Sequence, residues 1–211
     1  MKTLIFSDIH GNLPAFEKML EAEPEAVRYI SLGDVVNYGP WSNECVDLLE
    51  SLNAIRIRGN HESYFIEGKY PRGSGLVSDF FNVSYERFSR QREIAKYIEH
   101  YTGFGFTFQH TINDEYLFPD SVIDIVGNYF IGHSHHQFDR KSDLYHVVNV
   151  GSVGQNRNEI NVINYGVFES ESNKVELKSI VYDINPLINK MRELRYPAQC
   201  VAYYLQKAFR K

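Results

Sequence analysis

Between Lys2 and Asn60 the chain alternates short apolar runs with stretches of helical spacing, and each apolar run stops at a polar residue beside a glycine. Residues 2–7 (KTLIFS) run into Asp8-Ile9-His10-Gly11. Residues 28–34 (RYISLGD) end on Gly33-Asp34, and 54–60 (AIRIRGN) end on Gly59-Asn60 with His61 next. Between the first two runs, Leu13, Phe16, Met19 and Leu20 share one side of a predicted helix over 13–22, with Pro14 suited to its first turn. Between the second and third, Cys45, Val46 and Leu49 form a face over 42–52, with Ser42 as the expected N-cap. Strand, helix, strand, helix, strand predicts an α/β sheet with parallel strands.

From about Glu62 to Thr102 the pattern changes. A loop rich in glycine, proline and tyrosine (67–75, EGKYPRGSG) leads into a predicted helical segment from Leu76 to His100. Strands are expected again at 104–110, 128–133, 145–152, 159–170 and 174–183, close enough together to suggest a second sheet packed on the first. A helix over 185–194 and a short amphipathic tail after Pro197 complete the reading. No repeat, low-complexity run or linker divides the chain. It reads as one domain over 1–211 with a small insert at about 62–103, and at 211 residues it can bury a real core.

Composition narrows the partners. A net charge of −5 with no strong Lys/Arg cluster argues against duplex nucleic acid, though not against small phosphorylated ligands. No apolar run approaches the ~20 residues of a membrane span, and no signal-peptide pattern opens the chain. The two cysteines, Cys45 and Cys200, lie far apart in helical-looking sequence and read as small core hydrophobes of a reducing compartment. The expected location is the cytoplasm. Oligomeric state is not legible.

The polar residues at the strand ends carry the chemistry. Asp8, His10, Asp34, Asn60, His61, His110, His133 and His135 all follow predicted strands, and in α/β sheets the loops at strand carboxyl ends surround one crevice. Mixed nitrogen and oxygen donors suit Mn, Fe, Zn, Co or Ni better than Ca. Two aspartates, an asparagine and four histidines exceed what one ion takes. A bridging carboxylate would divide them between two ions, and Asp34, alone at its strand end, is the natural bridge. Two ions roughly 3.5–4 Å apart can hold a hydroxide and clamp a phosphoryl group for in-line displacement.

The ordered series SDIHGN, LGDVVNYGP, RGNHE, QH, GHSH and NVGSVGQNR, from Phe6 to Arg157, resembles the calcineurin-like metallophosphoesterases, and is most similar to their small prokaryotic phosphodiesterases and nucleotide phosphatases. The resemblance implies an αββα sandwich of two mixed β-sheets flanked by helices, with a dinuclear centre at the strand carboxyl ends. It implies one ion on Asp8, His10, Asp34 and His135, and a second on Asp34, Asn60, His110 and His133. It gives His61 a catalytic role with Asn60 beside it, protonating the leaving oxygen or steadying phosphoryl charge. The implied cofactors are two divalent transition-metal ions, manganese foremost. The implied activity is hydrolysis of a phosphate ester or anhydride, with a nucleotide or dinucleotide among the candidate substrates. The departures are Thr111 after His110, where relatives carry glycine, and Glu62, where many carry aspartate.

Some positions keep two readings. Asn12 either donates to a substrate phosphate or braces its loop, and Arg157 either contacts phosphate or is a solvated arginine near a turn. Tyr64 and Tyr70 are the better candidates for substrate contact within the insert, whose other aromatics (Phe80, Phe81, Tyr85, Phe88, Tyr97, Tyr101) read as packing. His146 is expected to face solvent, and His136 to be exposed or just behind the ligands. A metal-binding scaffold without catalysis, binding a protein partner, is the alternative function. The presence of His61 argues for the enzyme.

Overall fold

The computed structural model describes residues 1–71, 73, 75–207 and 209–210. Of the loop 67–75, Arg72 and Ser74 therefore lie outside the described residues, as do Ala208 and Lys211 of the tail.

The first sheet holds five strands in the order β10-β9-β1-β2-β3. Its centre is β1 (Lys2–Phe6), parallel to β2 (Arg28–Ser31) and antiparallel to β9 (Val162–Glu169); β3 (Ile55–Arg56) and β10 (Lys174–Val181) form the edges. Four of the five β1 residues are buried, as a strand covered on both faces requires. Its side chains divide by the period of two. Ile5 joins an apolar cluster between the sheets with Ile30, Leu32, Phe108, Phe130 and Val148, while Leu4 and Phe6 face the helices.

The second sheet has the order β4-β5-β6-β8-β7. Its middle strands, β5 (Phe106–Gln109), β6 (Gly127–Ile131) and β8 (Tyr145–Asn149), are parallel. The antiparallel edges are β4 (His100–Gly103) and β7 (Phe138–Lys141). Both sheets are mixed and the fold is α/β, as the resemblance implied. The helices α1 (Leu13–Ala22), α2 (Ser42–Ser51), α3 (Asn60–Glu67), α4 (Leu76–Tyr85), α5 (Gln91–Ile94), α6 (Asn185–Glu193) and α7 (Ala198–Leu205) bury their apolar residues in one cluster with the outer face of the first sheet. The outer face of the second sheet, Ile131, Phe138 and Val147, is covered instead by Ile112, Leu117, Ile123 and Ile125 from the helix-free segment 111–126.

Four local expectations change. The predicted helix from Leu76 to His100 is α4, a turn, the one-turn α5 and then β4, so His100 is an exposed strand residue. Asn60, read as the end of the third apolar run, opens a two-turn helix, α3. Ser42 lies inside α2; its hydroxyl accepts from Asn37 N at 3.1 Å and Trp41 is the N-cap. His146 is half-buried, paired with Asp139 at 2.7 Å across the β7–β8 ladder. Both cysteines are buried and unbonded, and Phe80, Phe81, Phe88 and Tyr97 are core residues. Among the described residues no helix is long and apolar enough to cross a membrane.

Candidate metal centre

The strands of both sheets deliver their terminal residues to one seam. Asp8 follows β1, Asp34 follows β2, Asn60 follows β3, His110 follows β5, and His133 and His135 follow β6. Close backbone approach makes this possible. A Cβ on Gly132 would press on Ser7 Oγ and lie 2.6 Å from Asp8 Oδ2, and one on Gly59 would lie 2.5 Å from Asp34 N. Asp8, His10, Asp34, His133 and His135 all have φ between 50° and 66°, a left-handed backbone that costs L side chains about 1–2 kcal/mol each. Hydrogen bonds from Asp8 N to Gly33 O (2.9 Å) and from His10 N to Asp34 O (3.0 Å) hold the first two in it.

Each aspartate spends one oxygen on backbone and turns the other inward. Asp8 Oδ2 accepts from His133 N at 3.0 Å, while Oδ1 faces His135 Nε2 at 3.1 Å and His10 Nε2 at 3.7 Å. Asp34 Oδ1 accepts from His61 N at 2.9 Å. Its Oδ2 lies 3.3 Å from His110 Nε2 on one side and 3.9 Å from His10 Nε2 on the other, with His61 Nε2 also at 3.9 Å. His110 Nε2 in turn lies 3.1 Å from both Asn60 Oδ1 and His133 Nδ1.

This donor set fits divalent cations. The Nδ1 atoms of His10, His110 and His135 donate to Val36 O (3.1 Å), Leu32 O (2.8 Å) and Gln155 O (2.7 Å), which leaves each Nε2 as a bare lone pair. Yet His10 Nε2 and His135 Nε2 stand 3.2 Å apart, and Asp8 Oδ1 is buried with no aligned donor. Lone pairs gathered this closely repel unless a cation lies among them. Burial pushes the His10 imidazole well down and the His61 imidazole down, towards the neutral form a ligand or hydrogen-bond donor needs. Burial also disfavours a charged His110, but the Asp34 carboxylate beside it prevails and holds a proton there, up to about 10. A metal ion would take that proton's place. Three groups of carboxylates and imidazoles, Asp8-His10-His135, His10-Asp34-His61 and Asp34-His110-His133, lie close enough to share an ion.

Two residues that sequence reasoning missed or left open shape the centre. Asn37 Oδ1 accepts from Tyr38 N at 2.7 Å, which orients the amide so that Nδ2 donates to His61 Nδ1 at 2.8 Å. A neutral His61 then carries its proton on Nε2. Glu62 accepts from the backbone N–H groups of Asp34, Val35, Val36 and Gly59 at 2.7–3.2 Å, tying the start of α3 to the loop after β2. Asn37 stands within the LGDVVNYGP stretch, but its role depends on the approach of α3.

Of the two readings of Asn12, its hydrogen bonds fit that of a residue bracing its loop. Its amide nitrogen donates to Gly154 O (3.1 Å) and Tyr182 OH (2.8 Å) and its oxygen caps α1 at Ala15 N, all in the fully buried interior. Arg157, Tyr64 and Tyr70 do border the site. A cavity of about 190 Å³ is lined by Asp34, Tyr38, His61, Tyr70, His135 and Arg157. A larger cleft of about 510 Å³ reaches Asn60, His110 and His133 from the other side. Tyr64 and Tyr116 border both, and the Tyr116 ring stacks on His133 at 4.0 Å.

The profile of the calcineurin-like phosphoesterases matches residues 1–203. The chain belongs to this family. It is a metallophosphoesterase, a hydrolase of phosphoric esters, and its family implies divalent metal ions. An uncharacterised protein of Methanocaldococcus jannaschii is 31% identical, with 92% of this chain and 93% of that protein covered. Phosphodiesterase YfcE of Escherichia coli is 52% identical over 75 residues, 30% of this chain and 41% of the enzyme. The crystal structure of a metallophosphoesterase from Sphaerobacter thermophilus superposes with a TM-score of 0.79 over 97% of this chain and 98% of its own, at 23% identity, and shares the metallophosphoesterase fold.

Proposed function

We propose that this metallophosphoesterase uses two divalent ions, manganese foremost, to hydrolyse a small phosphodiester or nucleotide. One ion would be held by Asp8, His10, Asp34 and His135, and the other by Asp34, Asn60, His110 and His133. The observation that carries the reading is the position of Asp34 Oδ2, within 4 Å of imidazole nitrogens on both sides. Bound there, the ions would neutralise phosphoryl oxygens and supply a nucleophilic water near neutral pH.

The protein's own groups do the rest. His61, held neutral by burial and anchored at Nδ1 by Asn37, directs Nε2–H into the smaller cavity. That supports donation to a phosphoryl or leaving oxygen, steadying charge rather than acting as a strong acid. Arg157 borders the same cavity as a phosphate contact, and Tyr64 stands at the mouth against the leaving group. The cleft of about 510 Å³ beside His110 and His133 has room for a leaving group of nucleoside size. We also propose that residues 1–211 form one domain acting in the cytoplasm, a reading that the two buried, unbonded cysteines fit.

Turnover of bis(p-nitrophenyl) phosphate with added Mn²⁺, set beside EDTA-treated protein and elemental analysis, tests the assignment. Asp34→Asn should lose metal and turnover together. His61→Ala should keep the metal and lose about 10²–10⁴ in kcat. Full activity in His61→Ala would refute the role of that imidazole.

A further inference from the structure

The C-terminal helix α7 reaches Arg157, which lines the metal-site cavity, through the Tyr203 hydroxyl. Tyr203 OH accepts from Arg157 Nη1 at 2.5 Å and donates to Gln155 Oε1 at 3.4 Å. Gln155 in turn accepts His135 Nδ1 on its backbone oxygen at 2.7 Å. Tyr38, from the loop after β2, lines the same cavity as Arg157, and its phenol interacts electrostatically with the guanidinium. The rings that carry these hydroxyls are braced by α4. Phe80 lies 4.8 Å from Tyr38 and 5.8 Å from Tyr203, centroid to centroid.

The charge of Arg157 is left unmatched. Arg56, Arg58, Arg90 and Arg210 each meet a carboxylate. Among the described residues none lies within 4 Å of the half-buried Arg157 guanidinium, whose hydrogen-bond partner is the Tyr203 phenol oxygen. A guanidinium taken partly out of water without a counter-charge favours the entry of an anion. Neutral hydroxyls fix its direction without cancelling its charge, and it lines the cavity that also holds Asp34, His61 and His135.

We propose that Tyr203 and Tyr38 are positioning residues which hold Arg157 as an anion-binding arm for phosphoryl oxygens, so that α7 is part of the active site. The inference rests on the phosphoester-hydrolase reading of the centre. Tyr203 is suited to a clean test. Its ring packs against Phe80 and Tyr204 and lies under Lys207 Nζ at 4.8 Å, so Tyr203→Phe removes the hydroxyl and keeps the packing.

The experiment is calorimetric titration of inorganic phosphate into the Mn²⁺-loaded full chain, run on the wild type, Tyr203→Phe, Arg157→Met and the double variant. Metal content and melting temperature are measured alongside, and KM and kcat are taken for an aryl phosphodiester. Tyr203→Phe should weaken phosphate about fivefold, the effect of one hydrogen bond. Its loss in kcat/KM should fall more on KM than on kcat, at unchanged metal content and melting temperature. Arg157→Met should weaken phosphate further, and adding Tyr203→Phe to it should change little, because the hydroxyl then has no guanidinium to hold. Wild-type phosphate affinity in Tyr203→Phe would overturn the proposal, as would equal losses from that change with and without Arg157. If Arg157→Met does not fold, Tyr38→Phe takes its place: a loss of similar size supports the arm, and wild-type affinity overturns it. A wild type that binds metal and phosphate but hydrolyses no ester would sink the hydrolase reading, while the phosphate titrations would still decide on the arm.

Discussion

At the scale of single residues, the centre is organised by which atom of each side chain is already occupied. Backbone carbonyls take the Nδ1 protons of three histidines, and backbone amides take one oxygen of each aspartate, so the remaining atoms have a fixed role. Asn37 does the same for His61 in the opposite sense, filling Nδ1 with a donor and leaving the proton on Nε2. Asn37→Leu should therefore lower kcat about 10–100-fold at unchanged metal content. Nitrogen-15 shifts of His61 should show the loss of a single tautomer, and a retained Nε2–H form would contradict the assignment. The proposed ligand residue types were legible because they follow apolar runs, with a glycine beside His10, Asp34, Asn60 and His133. Asn37 and Tyr203 were not, because a neutral amide and a helical tyrosine acquire meaning only from what the fold brings beside them. Asn12 kept two readings for the same reason. A polar residue next to Asp-X-His-Gly looks available, but α1 and Tyr182 consume it.

At the scale of elements, the interior strands and the edges β3 and β10 announced themselves, and the edges β4 and β7 did not. β1, β8 and β9 are buried apolar runs. β7 reads Phe-Asp-Arg-Lys, an edge strand with one buried residue and no apolar pattern to detect. The break between α4 and β4 contains neither glycine nor proline from Glu86 to Glu99, so helical spacing continued through it unchecked. α3 was hidden by its own start at the proposed ligand Asn60, although Glu62 reaching back to Gly59 N and the left-handed Gly68 are its ordinary start and stop marks. The end of β6 carries the sharpest element-level prediction. Gly132→Ala would drive a methyl group against Ser7 and Asp8. It should cost about 1–3 kcal/mol of stability and most of the metal binding, seen together in thermal melts and elemental analysis. A variant that loads metal like the wild type would show that the two loops can part without harm.

At the scale of the whole molecule, the proposed ligands are shared between the sheets, with Asp8, His10, Asp34 and Asn60 from the first and His110, His133 and His135 from the second. Ions bound there would join two layers that otherwise meet through apolar side chains. Chelation should therefore loosen the whole fold. Each site filled at about 100 times its dissociation constant adds about 2.7 kcal/mol, so stripping both should lower the melting temperature by roughly 10–20 °C in a domain of this size. A melt indifferent to EDTA would argue that the seam holds itself shut. The five left-handed residues point the other way. Ions bound there would offset that strain, so a descendant that abandoned the reaction would be free to relax these residues towards glycine or asparagine. Such a retired relative should outlast its working cousin on heating once both are stripped of metal.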